Sequence, residues 1–554
     1  MRASLSIWLV AAGFGLAAAG SPAGAESGRM LDLTTRVPRN AFAAIPPQCY
    51  TRTRDTEGGV HNPCYTCHVT TPVPNYVRDG DLQTLYDFPG PARVNAWTNL
   101  FRDRRAEIAA TTDDEIRGYI GEDNYHDVEG QPALAAVLAD LPAGWDINGD
   151  GIWSGYLPDV HFRFDGEGYD LDPSGARTGW RAYGYVPLPG AFWPTNGSAD
   201  DVLIRLPEAF RQTSDGATDW EVYATNLAIV EALVRRADVP IAPTDETRLG
   251  VDLDRDGQLA TATHVAFAFD PRNGVTMGYV GRAAAALAEG HLHLAAGLFP
   301  EGTEFVHSLR YLDVAYDGTV GPAPRMKELR YARKTGWKTY GALLDLAMSD
   351  RREEHDYPDR PEHVLGDVES GVSTGQGWRF QGFIEDAEGA LRPQTYEESL
   401  TCAGCHGGVG RTVDNIYSFS RKVDVPAGGW YHWDRIRPLG DLADPLLPDG
   451  VGEYATYLMR NGAGDEFRAN GEILDRFFPD GTLDSAAAAA LRDGVGPLVD
   501  PSPERALALD KAYRLIVVEQ SFDRGRVPVL APLDATVWRV VPEGSGTGIE
   551  TPVR

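Results

Sequence analysis

Two stretches place a pair of thiols and an imidazole at a spacing that carries chemistry: Cys64-Tyr65-Thr66-Cys67-His68 and Cys402-Ala403-Gly404-Cys405-His406. In each, two thiols three residues apart can form thioethers to the vinyl groups of one porphyrin, and the following histidine offers its iron an axial nitrogen. The pattern predicts two covalently bound haem c groups, attached at Cys64, Cys67, Cys402 and Cys405, with His68 and His406 as proximal ligands. C-x-x-C alone also serves zinc and dithiol chemistry, but two complete copies with histidine favour haem. The fifth cysteine, Cys49, then has no partner for an intrachain disulfide. An inert thiol, an intermolecular link and a distal thiolate ligand are its open readings.

Function turns on the opposite face of each iron, because a second histidine or methionine closes it for electron transfer while an open face permits peroxide or oxygen chemistry. His307 lies in an apolar and aromatic run, Glu304-Phe305-Val306-His307-Ser308-Leu309-Arg310-Tyr311, suited to a haem pocket. His61, three residues before Cys64, is too constrained to cap its own haem but can reach a neighbouring one. His264, His291 and His293 follow. For the second haem the candidates are Met459, 53 residues after His406, and His432, flanked by Trp430, Tyr431 and Trp433. A lone histidine is more often structural than a ligand, so each competes with a plain packing role.

Two acidic loops suggest a second ligand, Ca²⁺. Asp146-Ile147-Asn148-Gly149-Asp150-Gly151 and Asp252-Leu253-Asp254-Arg255-Asp256-Gly257 match the first half of D-x-[DN]-x-[DN]-G. Asp146, Asn148 and Asp150, and likewise Asp252, Asp254 and Asp256, are the candidate oxygen ligands. Position twelve holds Leu157 and Thr263 rather than glutamate, so a regular EF-hand is not expected; Asp159 could close the first loop. Each loop leads into an apparent strand opening with His161 or His264, a weak internal repeat.

The elements that must position these groups divide the chain into four stretches. Residues 1–25 read as a signal peptide: Arg2, an apolar run from Leu5 to Ala19, then Ser21-Pro22-Ala23-Gly24-Ala25 as a cleavage site. Residues 26–130 form a loop-rich first haem region, because Pro46, Pro47, Pro63, Pro72 and Pro74 disfavour helix around the motif. Trp97, Leu100, Phe101 and Ile108 lie at helical spacing beside it. Residues 131–320 read as mixed α/β, with strands over 179–186 and 202–206, a helix from Trp220 to Arg236 and an alanine-rich helix from Arg282 to Leu298. Residues 321–554 read as mainly helical, with helices over 326–348, at 397–400 leading into the second motif, and after Ser502-Pro503. The fold class expected is mixed α+β.

Composition limits the partners. A formal net charge of -29 argues against nucleic-acid binding and suits a redox partner with a basic docking surface. The apolar run near the amino terminus is short for a membrane span and no cysteine follows its cleavage site, so neither a transmembrane nor a lipid anchor is expected. The compartment is then the periplasm, where covalent haem attachment takes place. A small haem domain needs only about 100 residues, so over half of the chain is left for another task. The oligomeric state is not legible.

The two motifs resemble those of c-type cytochromes and make the chain similar to a dihaem member, with a cytochrome c-like carboxy-terminal domain implied. The spacing of His406 and Met459 is compatible with small cytochromes that use His/Met ligation. Bacterial dihaem peroxidases share the cofactor count, but the 338 residues between Cys64 and Cys402 depart from their consecutive haem domains. The resemblance implies an exported protein that transfers electrons. A peroxidase- or oxygenase-like haem enzyme is the alternative, and a calcium-dependent interaction protein with accessory haems a third reading.

Overall fold

The computed structural model describes residues 45–54, 60–68, 73, 79–183, 196–360, 364–373, 375–407, 414, 416, 443–447, 449–461 and 470–552. Its first four strands are β1 (Thr53–Arg54), β2 (Val60–His61), β3 (Tyr169–Leu171) and β4 (Arg177–Ala182). Then come β5 (Ala199–Asp200), β6 (Leu203–Arg205), β7 (Val239–Asp245), β8 (Thr261–Val265), β9 (Glu304–Val314) and β10 (Val320–Lys334). The last are β11 (Leu365–Asp367), β12 (Gly371–Ser373), β13 (Trp378–Glu385) and β14 (Leu391–Pro393). Ten of them make one sheet in the order β11-β12-β13-β10-β9-β6-β4-β3, with β14 on β13 and β5 on β9. Every pairing in it is antiparallel. The pairs β1–β2 and β7–β8 stand apart as two-stranded ribbons.

The β9–β10 hairpin is the spine of this sheet, and its period of two sends alternate side chains to two cores. Phe305 packs with Ala332, Trp378, Phe380, Leu400 and Cys402 on one face. Its neighbour Val306 packs with Met326, Leu329, Phe383 and Trp180 on the other. Burying each such aromatic or aliphatic side chain contributes roughly 1.5–3 kcal/mol, so both faces hold the hairpin in register.

Helices close the first face. Trp220–Arg235 starts where the Asp219 side chain accepts from the amides of Glu221 and Val222, and all but its ends are buried in this core. Tyr396–His406 lies over β12 and β13 on the same side. A third cluster joins Tyr65, Tyr311, Tyr454 and Tyr457 to the Pro503–Glu519 helix, whose Ser502 hydroxyl accepts from the Arg505 amide. Residues 50–101 and 529–541 form a seam: Thr51 bridges to Val537 and Val94 to Val540, and Tyr50, Trp97 and Leu100 pack on Val529, Val537 and Val541.

The fold is mixed α and β, with a large antiparallel sheet. Some expected elements differ. The stretch after 320 is not helical throughout, since β10 through β14 open it and share the sheet with β3, β4, β5, β6 and β9. The helix expected over 326–348 is strand to Lys334, and the helix there is Tyr340–Asp356. Met326-Lys327-Glu328-Leu329-Arg330 favours helix by propensity, but pairing with β9 and β13 overrides it. The alanine-rich helix stops at Ala288. The run opening at His161 has no ladder partner beyond an isolated bridge at Phe164, whereas His264 does lie on a strand, β8.

Candidate functional site

Each motif occupies a single helical turn, but the two turns are built differently. In the first, Pro63 fixes φ at the start of the turn Pro63–Thr66 and Asn62 caps it, its Oδ1 accepting from the Cys64 amide at 2.7 Å. The His68 amide donates to the Cys64 carbonyl at 2.8 Å, closing one turn, and Cys64 and His68 are buried. The second motif is the last turn of the Tyr396–His406 helix, which begins in a capping box. The Glu398 amide donates to Thr395 Oγ1 at 3.2 Å and the Thr395 amide to Glu398 Oε2 at 2.8 Å. Arg392 grips the same carboxylate with two bonds of 2.8 Å. Helical spacing puts Cys402, Cys405 and His406 on one face, toward a cavity.

That cavity lies between the motif helix and the sheet. Apolar walls come from Val202, Phe305, Leu309, Ala332, Phe380 and Ile416, and Phe380 stacks on the His406 ring at 4.9 Å and 18°. Its water-accessible interior is about 160 Å³, roughly ten times what one water needs, so it is scaled for an organic group rather than an ion. Charge enters from β10. A register shift between Met326 and Glu328 makes Lys327 the extra residue of a bulge, and Met326 stays in the opposite core while Lys327 and Glu328 both reach the cavity.

The cavity's polar network is specific. Glu328 accepts from Arg330 Nε at 2.9 Å and Arg526 Nη1 at 2.8 Å. Burial alone would raise its pKa, but the two guanidinium groups prevail and hold it at about 2. Lys327 donates to the Gly197 carbonyl and its ammonium lies over the Tyr513 ring at 4.3 Å; burial lowers its pKa to about 8. The Tyr513 hydroxyl is buried with no hydrogen-bond partner among the described residues. Lys327, Arg330 and Arg526 bring three cationic groups to this wall, Arg330 and Arg526 held by Glu328 and Lys327 3.9 Å from the Asp510 carboxylate. A porphyrin with two propionates fits that donor set: apolar faces, an imidazole, two thiols and a cationic edge.

His307 enters the same cavity from β9, directly across the ladder from Arg330. Burial, then the Arg330 charge, lowers its pKa to about 3, and His406 adds to the shift.

The first motif is tied to this cavity by the turn Pro47–Tyr50. Pro46, Pro47 and Gln48 line the cavity, while Asn62 Nδ2 donates to the carbonyls of Cys49 at 3.0 Å and Thr51 at 2.7 Å. Burial raises the Cys49 thiol's pKa, and Cys64, Cys67 and Cys405 raise it further. Motifs 338 residues apart thus flank one four-residue turn. Among the described residues, no cysteine belongs to a group of three or more ligating side chains with atoms within 4.8 Å of one another.

The other sequence candidates lie elsewhere. Met459 is half exposed, on the Glu453–Asn461 helix, which packs against the first motif: the Tyr65 hydroxyl donates to the Tyr457 carbonyl at 3.0 Å. His61 is on β2, and its side chain is outside the described residues, as is all of His432. His264 is on β8; His291 and His293 are exposed, with His293 paired to Glu301 and stacked on Trp337 at 5.1 Å. Trp97 lines the second motif's cavity.

The acidic loops share one device. In the second, buried Glu246 accepts from the amides of Leu253 at 2.5 Å and Ala260 at 2.9 Å, loop positions two and nine. In the first, buried Glu369 accepts from the same positions, Ile147 and Ser154, each at 3.1 Å. Each loop is thus braced by a buried glutamate from outside it. Gly151 and Gly257, at position six, have φ of +75° and +86°, which the sharp turn requires. Glu246, Asp252 and Asp254 offer oxygens within 4.8 Å of one another. Asp159, expected to close the first loop, instead accepts from Tyr156, Trp180 and Arg205.

Sequence reasoning missed the cationic wall, Asn62, Glu246 and Glu369. Only Asn62 carried a local signal, an Asn-Pro pair opening a turn.

A family model described as "-like lipoprotein" matches residues 33–491. An uncharacterized lipoprotein of Aquifex aeolicus (strain VF5) is 31% identical over 541 residues, covering 89% of this chain and 87% of its own length. No solved structure matches. The likeness to dihaem c-type cytochromes and their peroxidase relatives is therefore corrected as a statement of kinship, because it spans two five-residue motifs while the lipoprotein match spans most of the chain. By that match the protein is a member of this lipoprotein family.

Proposed function

We propose that this lipoprotein-family member is an exported two-haem electron-transfer protein of the periplasmic side of the cell envelope. One haem would be held by Cys64, Cys67 and His68, the other by Cys402, Cys405 and His406. The observation that carries the reading is the approach of both motifs to the Pro47–Tyr50 turn, where Pro47 and Gln48 line the second motif's cavity and Asn62, the cap of the first motif, donates to the Cys49 carbonyl. Bound haem supplies a one-electron couple. The chain's own residues do the rest: Phe380 holds the His406 ring, and Lys327, Arg330 and Arg526 offer charge to propionates.

Membership in a lipoprotein family makes the chain an exported envelope protein. No helix among the described residues is long and apolar enough to cross a membrane. The net charge of -29 favours a redox partner with a basic docking face. The test is mass spectrometry of denatured protein from a host that attaches haem c. Two haem masses per chain support the reading, and none or one removes it.

Calcium at the second acidic loop completes the proposal, with Asp252, Asp254 and Glu246 as ligands. Chelator should lower the melting temperature by several degrees, and Glu246→Gln should abolish that response. A melting temperature indifferent to chelator would exclude a structural ion.

A further inference from the structure

We propose that His307 is the second axial ligand of the haem attached at Cys402 and Cys405, so that this iron is held by one imidazole from the helix and one from the sheet. The proposal rests on the two-haem reading and assigns a partner that it leaves open. Three observations carry it.

His307 and His406 line one cavity from its two opposing elements, β9 and the Tyr396–His406 helix. His307 is on an interior strand, flanked by β10 through the His307–Arg330 pair and by β6 through the Leu203–Val306 and Ile204–Phe305 pairs. A ligand on such a strand is placed by the sheet, not by a loop, and needs little reordering to bind. Phe305 and Leu309, two residues to either side on the same face, are apolar cavity walls.

The competing donors at this cavity are poorer. Lys327 directs its ammonium to the Gly197 carbonyl and Ser198 hydroxyl. Tyr513 is a phenol under that ammonium, and phenolate ligation would give a distinct charge-transfer band. Met459 is half exposed on a helix against the other motif.

The experiment uses the full chain. Mass spectrometry first counts covalent haems; a wild type without two haems overturns the two-haem reading itself and is seen before any spectrum. On protein carrying both, EPR and optical spectra are compared for the wild type, His307→Gly and His307→Met. His307→Gly should turn one haem from low to high spin and let it bind carbon monoxide when reduced, and free imidazole should restore low spin. His307→Met, which keeps a ligand atom and tests the assignment if the glycine variant does not fold, should remain low spin and raise the reduction potential of one haem only. A variant with spin state and potentials unchanged, or a phenolate band in the wild type, overturns the assignment.

Discussion

The two motifs are the same five-residue pattern in two kinds of support. The second ends an eleven-residue helix with a full capping box and lies against a ten-stranded sheet that brings an imidazole, an aromatic ring and two cations, Lys327 and Arg330, to its cavity. The first is one proline-led turn, capped by a single asparagine, between a short ribbon and the Glu453–Asn461 helix, beside the seam of residues 50–101 with 529–541. A site built on sheet and helix is shaped before its ligand arrives. One built on turns depends on contacts hundreds of residues away, such as Thr51 with Val537.

The sharpest way to break this comparison is to remove the thiols. Cys402→Ser with Cys405→Ser should cost one covalent haem yet leave a cavity that binds haem non-covalently, so acidified-solvent extraction should recover haem from that variant. Cys64→Ser with Cys67→Ser should lose its haem outright. Equal haem retention by the two double variants, measured by mass and extraction, would show that both sites are equally preformed.

A pH effect separates the two supports next. Asp444 accepts from the amides of Tyr454 and Ala455 at the start of the helix on the first motif, and burial raises its pKa from 3.8 to about 6. With a folded pKa above the unfolded one, the folded state binds the extra proton between those values. The associated stability is complete below about 4 and is lost as pH rises through about 6, a change of order 2–3 kcal/mol for two units. Asp444→Asn should flatten that slope. Hydrogen exchange in the Glu453–Asn461 helix between pH 4 and 7 measures it, and the Tyr396–His406 helix should not follow.

Legibility also divides along this line. Both motifs, the Trp220 and Ser502 helix starts and the loop-rich setting of Cys64 could be read because their signals are local: spacing, caps and prolines. The cationic wall could not, because Lys327 and Glu328 look like the exposed face of a helix. They become cavity residues only through a bulge in a strand whose partners begin at Glu304 and Trp378. The glutamates on the acidic loops were hidden for a related reason. Glu246 precedes its loop by six residues and Glu369 follows its loop by more than two hundred, so neither occupies the position that a linear motif inspects. His307 was legible as an imidazole in an apolar run, but not which motif it faces, since that is decided by sheet order.

The smallest predicted effect concerns the caps themselves. Asn62→Ala removes the acceptor for the Cys64 amide and the donor to two carbonyls, Cys49 and Thr51, all in a buried setting. Losing a cap costs about 0.5–2 kcal/mol and a stranded buried group about 1–3 kcal/mol, so roughly 2–3 kcal/mol is expected. Thr395→Ala removes one hydroxyl acceptor from a helix whose Glu398 is still gripped by Arg392 and whose Glu398 carbonyl still accepts from Arg526 at 2.5 Å. That redundancy should hold the loss to about 1 kcal/mol or less. Urea unfolding of the two variants with their haem content measured alongside tests the difference. If Thr395→Ala proves the more damaging, the second motif depends on its local cap after all, and the sheet behind it does not preform the site.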